Sequence, residues 1–217
     1  VWYLRFTLFN LRRILMNKSF IIKIIVFCLV TINVSAIEKV ILFGDSLMAG
    51  YGLPNEQHLS VVLQNSLELE GHNIQIINGS VSGSTSAGGL NIAEWTLSEN
   101  NIDLMILCLG ANDMLRGINP KETKNNLEEI IKIAKNKNIK VIIAGMIAPT
   151  SYGFGYKKSF DKIFSDLSKK YKLQLIPFLL EGVAQKPEFN LSDGMHPNDQ
   201  GTIIIGNTLK KAILENL

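Results

Sequence analysis

The sequence predicts an α/β protein, a three-layer α/β/α sandwich around a five-stranded parallel sheet. Three observations predict it. Five short runs dense in Ile, Val and Leu stand at 38–43, 73–78, 102–109, 139–146 and 173–176. Helical patterns separate and follow them near 58–70, 85–99, 120–137, 156–172 and 198–216. The apolar runs are near-continuous rather than alternating, as expected of strands covered on both faces. Strands that alternate with helices in this way form parallel pairs joined by crossovers.

Taken in order, the first strand runs through Val40-Ile41-Leu42-Phe43 and stops at Gly44-Asp45-Ser46. The second ends in a loop rich in glycine and serine, Asn78 to Gly89. The third ends in Cys108-Leu109-Gly110-Ala111-Asn112-Asp113-Met114. Pro120 then suits the first turn of the helix that follows. The fourth strand leads into a loop at 147–156. After the fifth comes the longest irregular stretch, 177–197, a length at which loops are often functional. Pro197 opens the last helix. No composition shift inside 37–217 marks a boundary, so this span is read as one domain.

The chain has 217 residues, 47% hydrophobic and 19% charged, with no repeat and no low-complexity tract. Its first 36 residues differ from the rest. Met16-Asn17-Lys18 precedes an apolar run that ends in small residues, with Val34 and Ala36 at the −3 and −1 positions. This is the pattern of a signal peptide that starts at Met16 and is cleaved after Ala36, with residues 1–15 an upstream extension. The stretch from Lys23 to Ile37 is shorter than the ~20 apolar residues a bilayer span needs. Cleavage removes five of the 22 basic residues and none of the 19 acidic ones, turning a formal charge of +3 into −2. No basic patch then remains for nucleic acid. Cys28 leaves with the leader, and Cys108 is left alone in an apolar run as a core thiol. The expected location is the periplasm or the medium of a bacterium, without stable membrane insertion after cleavage.

The chemistry-bearing residues gather at strand exits. In an open parallel sheet, ligands bind beyond the carboxyl ends of the strands. Ser46 sits at such an end, where a helix start turns backbone N–H groups outward, although serine is also a common helix cap. The glycine-rich loop around Gly83 can bring amides close to a ligand, or serve as plain surface. It lacks the Lys-Ser/Thr of a phosphate loop. Asn112 offers an uncharged donor, or a turn residue. His196 follows Asp193 by three, the general-base half of a Ser-His-Asp system, or else a capping or core histidine. His58 and His72 flank a surface helix and are read as solvated bystanders.

All four segments on one edge of the sheet form a recognisable set. The sequence resembles the SGNH, or GDSL, hydrolase family through Gly44-Asp45-Ser46-Leu47, Gly83, Gly110-Ala111-Asn112-Asp113 and Asp193-Gly194-Met195-His196. The blocks follow the family's order, and the resemblance covers 38–217. It is similar above all to the exported arylesterase, acyl-CoA thioesterase I and lysophospholipase branch, whose fold is flavodoxin-like. Ser84 stands where that branch usually carries Asp, and Ala148 to Gly153 replaces a more usual Pro-Pro-Asn-Tyr-Gly.

The resemblance implies a serine esterase that acts through an acyl-enzyme. Ser46 is then the nucleophile, His196 the base and Asp193 its orienting acid. The Ser46 N–H, the Gly83 N–H and the Asn112 amide form the oxyanion hole, and no metal or organic cofactor takes part. Substrates would be small acyl esters, thioesters or lysophospholipids, with Asp45, Met114, Ile147 and Tyr152 as candidate substrate-binding residues. An ordinary α/β-hydrolase elbow, G-x-S-x-G, is disfavoured because Met48 occupies the second glycine position. Two alternatives stay open: a carbohydrate O-acetylesterase of the same family, and a non-catalytic exported binding protein that keeps the fold.

Overall fold

The computed structural model describes residues 37–98 and 101–217. The expected signal peptide, its start at Met16 and Cys28 lie outside the described residues. Five strands form the predicted sheet: β1 (Lys39–Gly44), β2 (Gln75–Asn78), β3 (Leu104–Cys108), β4 (Lys140–Ala144) and β5 (Gln174–Ile176). Their order is β2-β1-β3-β4-β5, and every pairing is parallel. Among the described residues, seven α-helices connect and flank them: α1 (Ser46–Ala49), α2 (Leu59–Leu69), α3 (Ser86–Thr96), α4 (Ala111–Leu115), α5 (Pro120–Asn136), α6 (Phe154–Tyr171) and α7 (Asp199–Leu214).

Apart from β1, the strands are shorter than the apolar runs that announced them. Ile102, Leu109 and Ile139 are buried, yet they lie outside the ladder. Burial made them look like strand, because hydrophobic periodicity reports covering rather than pairing. Helices α1 and α4 were not foreseen as separate elements. At four and five residues, neither completes two turns, so neither carries a readable period.

The chain places β2 on one side of β1 and then crosses back to place β3 on the other. Right-handed crossovers put the connecting helices on opposite faces when the direction reverses. Accordingly α2 packs with α7, while α3, α5 and α6 pack in succession. Both faces of β1 and β3 are covered: Val40 to Gly44 and Leu104 to Cys108 are all buried. Phe43, Phe160 and Phe164 are among the largest fully buried side chains, and Phe160 meets Phe164 edge-on at 5.7 Å. Helix α5 starts as its sequence suggested. Asn119 accepts the Lys121 N–H at 2.9 Å, and Pro120 occupies the first turn.

Reversal of direction between β1 and β3 leaves a crevice at their carboxyl ends, the usual ligand position in such sheets. Gly44 makes the approach there tight enough for α1 to begin at once. A Cβ on Gly44 would stand 2.7 Å from the Cys108 carbonyl oxygen and 3.1 Å from Met48 Sδ. The neighbouring backbone belongs to a central strand and has little room to yield. We therefore expect Gly44→Ala to lower stability by about 1–3 kcal/mol, the usual cost of overpacking. The midpoint of urea unfolding measures it, and an unchanged midpoint would mean that β3 can shift to accept the methyl group.

Candidate active site

Ser46 is the first residue of α1, directly after β1. The helix cap is supplied by its neighbour: Asp45 Oδ1 accepts the Leu47 N–H at 3.1 Å. Capping is thus removed from Ser46, and its hydroxyl lies 2.9 Å from His196 Nε2. His196 Nδ1 lies 2.7 Å from Asp193 Oδ2. The other carboxylate oxygen, Asp193 Oδ1, accepts the N–H groups of Met195 (2.8 Å) and His196 (3.0 Å). A carboxylate can only accept, so the neutral ring carries its proton on Nδ1 and presents the Nε2 lone pair to Ser46. Such an arrangement can take the hydroxyl proton as the oxygen attacks a carbonyl carbon.

The loop that carries His196 is held by asparagines. Asn190 Nδ2 donates to the carbonyls of Val183 (2.8 Å) and Lys186 (2.7 Å). Asn198 caps α7 by accepting the Gly201 N–H at 3.0 Å, and its Nδ2 donates to the Glu188 carbonyl at 2.9 Å. A bridge between Asn190 and Pro197 closes the loop, and the Leu191 N–H donates to the His196 carbonyl at 2.8 Å. His196 is therefore neither a cap nor a core residue. The Tyr51 ring lies over its imidazole, with centroids 4.4 Å apart and planes tilted by 37°.

Gly83 and Asn112 lie on the adjoining loops. Gly83 has φ +78°, and the Ser84 N–H closes the turn onto the Val81 carbonyl at 3.1 Å. This φ suits the third position of a type II turn, which favours glycine. Asn112, second residue of α4, donates from Nδ2 to Asp45 Oδ2 at 3.3 Å. An amide NH₂ has two protons, so the second is left for another acceptor. Among the described residues, no group of three or more His, Cys, Asp or Glu could hold a metal ion.

A model of the GDSL-like lipase/acylhydrolase family matches residues 42–202. The chain belongs to this family. It is 35% identical to the arylesterase of Vibrio mimicus over 194 residues, 89% of this chain and 96% of the relative. It is 30% identical to thioesterase 1/protease 1/lysophospholipase L1 of Escherichia coli (strain K12) over 185 residues, covering 85% of this chain and 88% of the relative. Among solved structures, the crystal structure of TesA superposes with a TM-score of 0.78 at 32% identity, covering 83% of this chain and all of the other.

Against this GDSL-family background, the remaining expected residues divide. Asp45 was expected to touch substrate, but it is completely buried and both its oxygens are engaged by the protein. The structure places it beneath the site, joining the Ser46 turn to Asn112. Met114 is also buried, packed into the core rather than facing outward. Ile147 is exposed, and Tyr152 is half-buried, stacked on Tyr156 at 5.5 Å between ring centroids. His58 is not a solvated bystander: it is half-buried, 3.1 Å from the Leu53 carbonyl, with its ring against Gly50.

The two aspartates beside the site are shifted in opposite directions. Burial pushes the Asp45 carboxyl from 3.8 up to about 6, only partly opposed by the Leu47 N–H and the Asn112 amide. Partial desolvation pushes Asp193 up as well. There the His196 and Met195 N–H groups and the His196 ring outweigh it and hold the carboxyl at about 2.

The sign for stability follows from proton binding. Between pH 3.8 and about 6, folded Asp45 keeps a proton that the unfolded chain has released. Its contribution is therefore fully present below pH 3.8 and lost as pH rises through about 6. Asp193 contributes the reverse, gaining stability from about pH 2 to 3.8. In urea unfolding across this range, Asp45→Asn should remove the decline that Asp45 causes between pH 3.8 and about 6. A decline of the same size in the variant would assign it to another group.

Proposed function

We propose that this GDSL-type hydrolase cleaves carboxylic esters and thioesters through a Ser46-His196-Asp193 triad. The observation that carries the reading is the 2.9 Å contact between Ser46 Oγ and His196 Nε2, side chains 150 residues apart. Ser46 Oγ attacks the acyl carbon while its proton passes to His196 Nε2. Asp193 holds the ring and stabilises the imidazolium. The negative charge on the carbonyl oxygen is received by the Ser46 N–H, the Gly83 N–H and the second Asn112 amide proton. His196 then protonates the leaving alcohol or thiol, and the acyl group stays on Ser46. Water, deprotonated by the same nitrogen, attacks the acyl-enzyme and releases the acid with the serine restored.

Small acyl esters, acyl thioesters and lysophospholipids are the substrates we infer. The names of the relatives support this class, and so does the apolar character of exposed Leu115 at the end of α4 and exposed Ile147 in the loop after β4. Ile147 and Tyr152 are the substrate-side residues the reading retains. We further infer export, with the working enzyme beginning at Ile37 in the periplasm or medium and no nucleic-acid partner. No helix among the described residues is long and apolar enough to cross a membrane.

Ser46→Ala should abolish nearly all hydrolysis of p-nitrophenyl esters and acyl thioesters while leaving the circular dichroism spectrum unchanged. Unaltered turnover would remove Ser46 from the mechanism. Asn112→Ala should lower kcat by ~10²–10³, as loss of one oxyanion donor typically does. A substrate panel graded by acyl length should show cleavage. Inertness toward every ester and thioester, with release of acetate from acetylated glycans, would overturn the acyl-ester assignment. Mass spectrometry of the exported protein should find Ile37 at its N-terminus, and a chain that still begins at Met16 would refute cleavage.

A further inference from the structure

We propose that Arg116 is a positioning residue that sets the spacing of the oxyanion pocket by clamping the Gly83 turn to α4. The inference rests on the oxyanion reading above and extends it to a residue that touches no substrate. Two separate ties join the Gly83–Ser86 loop to the Asn112–Arg116 segment. On the inner side, completely buried Asp113 accepts the Ser86 N–H at 2.7 Å through Oδ2 and the Ser86 hydroxyl through Oδ1. Thr123 Oγ1 also donates to Asp113 Oδ1 at 3.0 Å, and Asn126 Nδ2 donates to Ser86 Oγ at 3.0 Å. On the outer side, exposed Arg116 donates from Nη2 to the Gly83 carbonyl at 3.0 Å.

The spacing explains the clamp. Residues 113 and 116 are three apart at the end of a helical turn, so they share a face. Their partners, 86 and 83, are three apart on the facing loop. Asn112 lies on the same turn, so the arm that carries one oxyanion donor grips the arm that carries the other. The inner tie is buried and complete, and among the described residues no buried side-chain N or O atom lacks a partner. The outer end is anchored at its start, where the Val81 N–H donates to the Gly44 carbonyl at 3.1 Å, but not on the side of α4. A Cβ placed on Gly83 would meet nothing within 4 Å, so no packing wall stands on that side of Gly83. Apart from that bond to β1 and its own Ser84-to-Val81 closure, the turn is held to α4 at this point by the guanidinium. A donor displaced by a fraction of an ångström stabilises the oxyanion less, while ground-state binding of substrate is unaffected.

Arg116→Ala should therefore lower kcat on a short p-nitrophenyl ester about tenfold with KM unchanged, less than outright loss of a donor. Because Arg116 is exposed, its urea midpoint should stay at the wild-type value. Arg116→Lys should recover part of the rate, and millimolar guanidinium ion should raise kcat of Arg116→Ala but not of wild type, which a merely structural role would not produce. Inactivation by a p-nitrophenyl alkylphosphonate, whose phosphoryl oxygen takes the oxyanion position, should slow in parallel with kcat. An unchanged kcat, or a raised KM with kcat intact, overturns the clamp. If Asn112→Ala loses turnover while Arg116→Ala keeps it, the clamp is wrong and the oxyanion reading stands. If both keep it, the oxyanion reading itself fails.

Discussion

The hydrogen bond between Ser46 Oγ and His196 Nε2 joins the first turn after the first strand to the loop before the last helix. Its two ends reach it by different means. Ser46 is delivered by a central strand, fully buried on both faces, and by the tight exit at Gly44. His196 is delivered by an irregular stretch with no ladder of its own, so buried Asn190 and half-buried Asn198 supply the pairing a strand would have given. Loop backbone away from water needs such partners, since an unpaired buried N–H or C=O costs as much as a lost hydrogen bond. The loop that places His196 thus depends on Asn190 and Asn198, which bond to main-chain groups around it.

Parallel topology does the rest of the gathering. Every strand points the same way, so every connection leaves from one edge, and the reversal between β1 and β3 opens a crevice there. Ser46 follows β1, Gly83 follows β2, Asn112 follows β3, and His196 lies beyond β5. Two buried carboxylates then lock these exits laterally. Asp45 joins the β1 exit to the β3 exit, and Asp113 joins the β2 exit to α5. Burying a carboxylate is costly unless donors surround it. Asp113 has three, and they come from segments that must hold register with one another.

Much of this was legible in the sequence because it is local. Continuous apolar runs located all five strands, and the residues of the Ser-His-Asp set stood in short blocks at strand ends. What remained hidden depends on tertiary encounters. Nothing in Ala49-Gly50-Tyr51 announces that the Tyr51 ring will cover His196, because the two are 145 positions apart in sequence and Tyr51 is exposed in the fold. Arg116 reads as a solvated charge at the end of a short helix, and its carbonyl partner is main chain, which no side-chain pattern can report. Asp45 misled for the opposite reason. A carboxylate beside a candidate nucleophile looks like a substrate contact, but a residue that caps a helix starting from a core strand must point inward.

Asp45 and Asp193 show how one side chain serves two roles. Asp193 lies at a partly open loop, surrounded by N–H donors and an imidazole, so it stays charged far below neutrality. A charged Asp193 is what a developing imidazolium requires. Asp45 is completely buried with two hydrogen-bond partners, so burial dominates and ionisation is delayed. Its place between Leu47 and Asn112 makes it an acceptor for the scaffold, and a carboxyl oxygen can accept a hydrogen bond in either protonation state. Environment, rather than residue type, therefore separates the acid bonded to the His196 ring from the acid that ties Asn112 to the Ser46 turn.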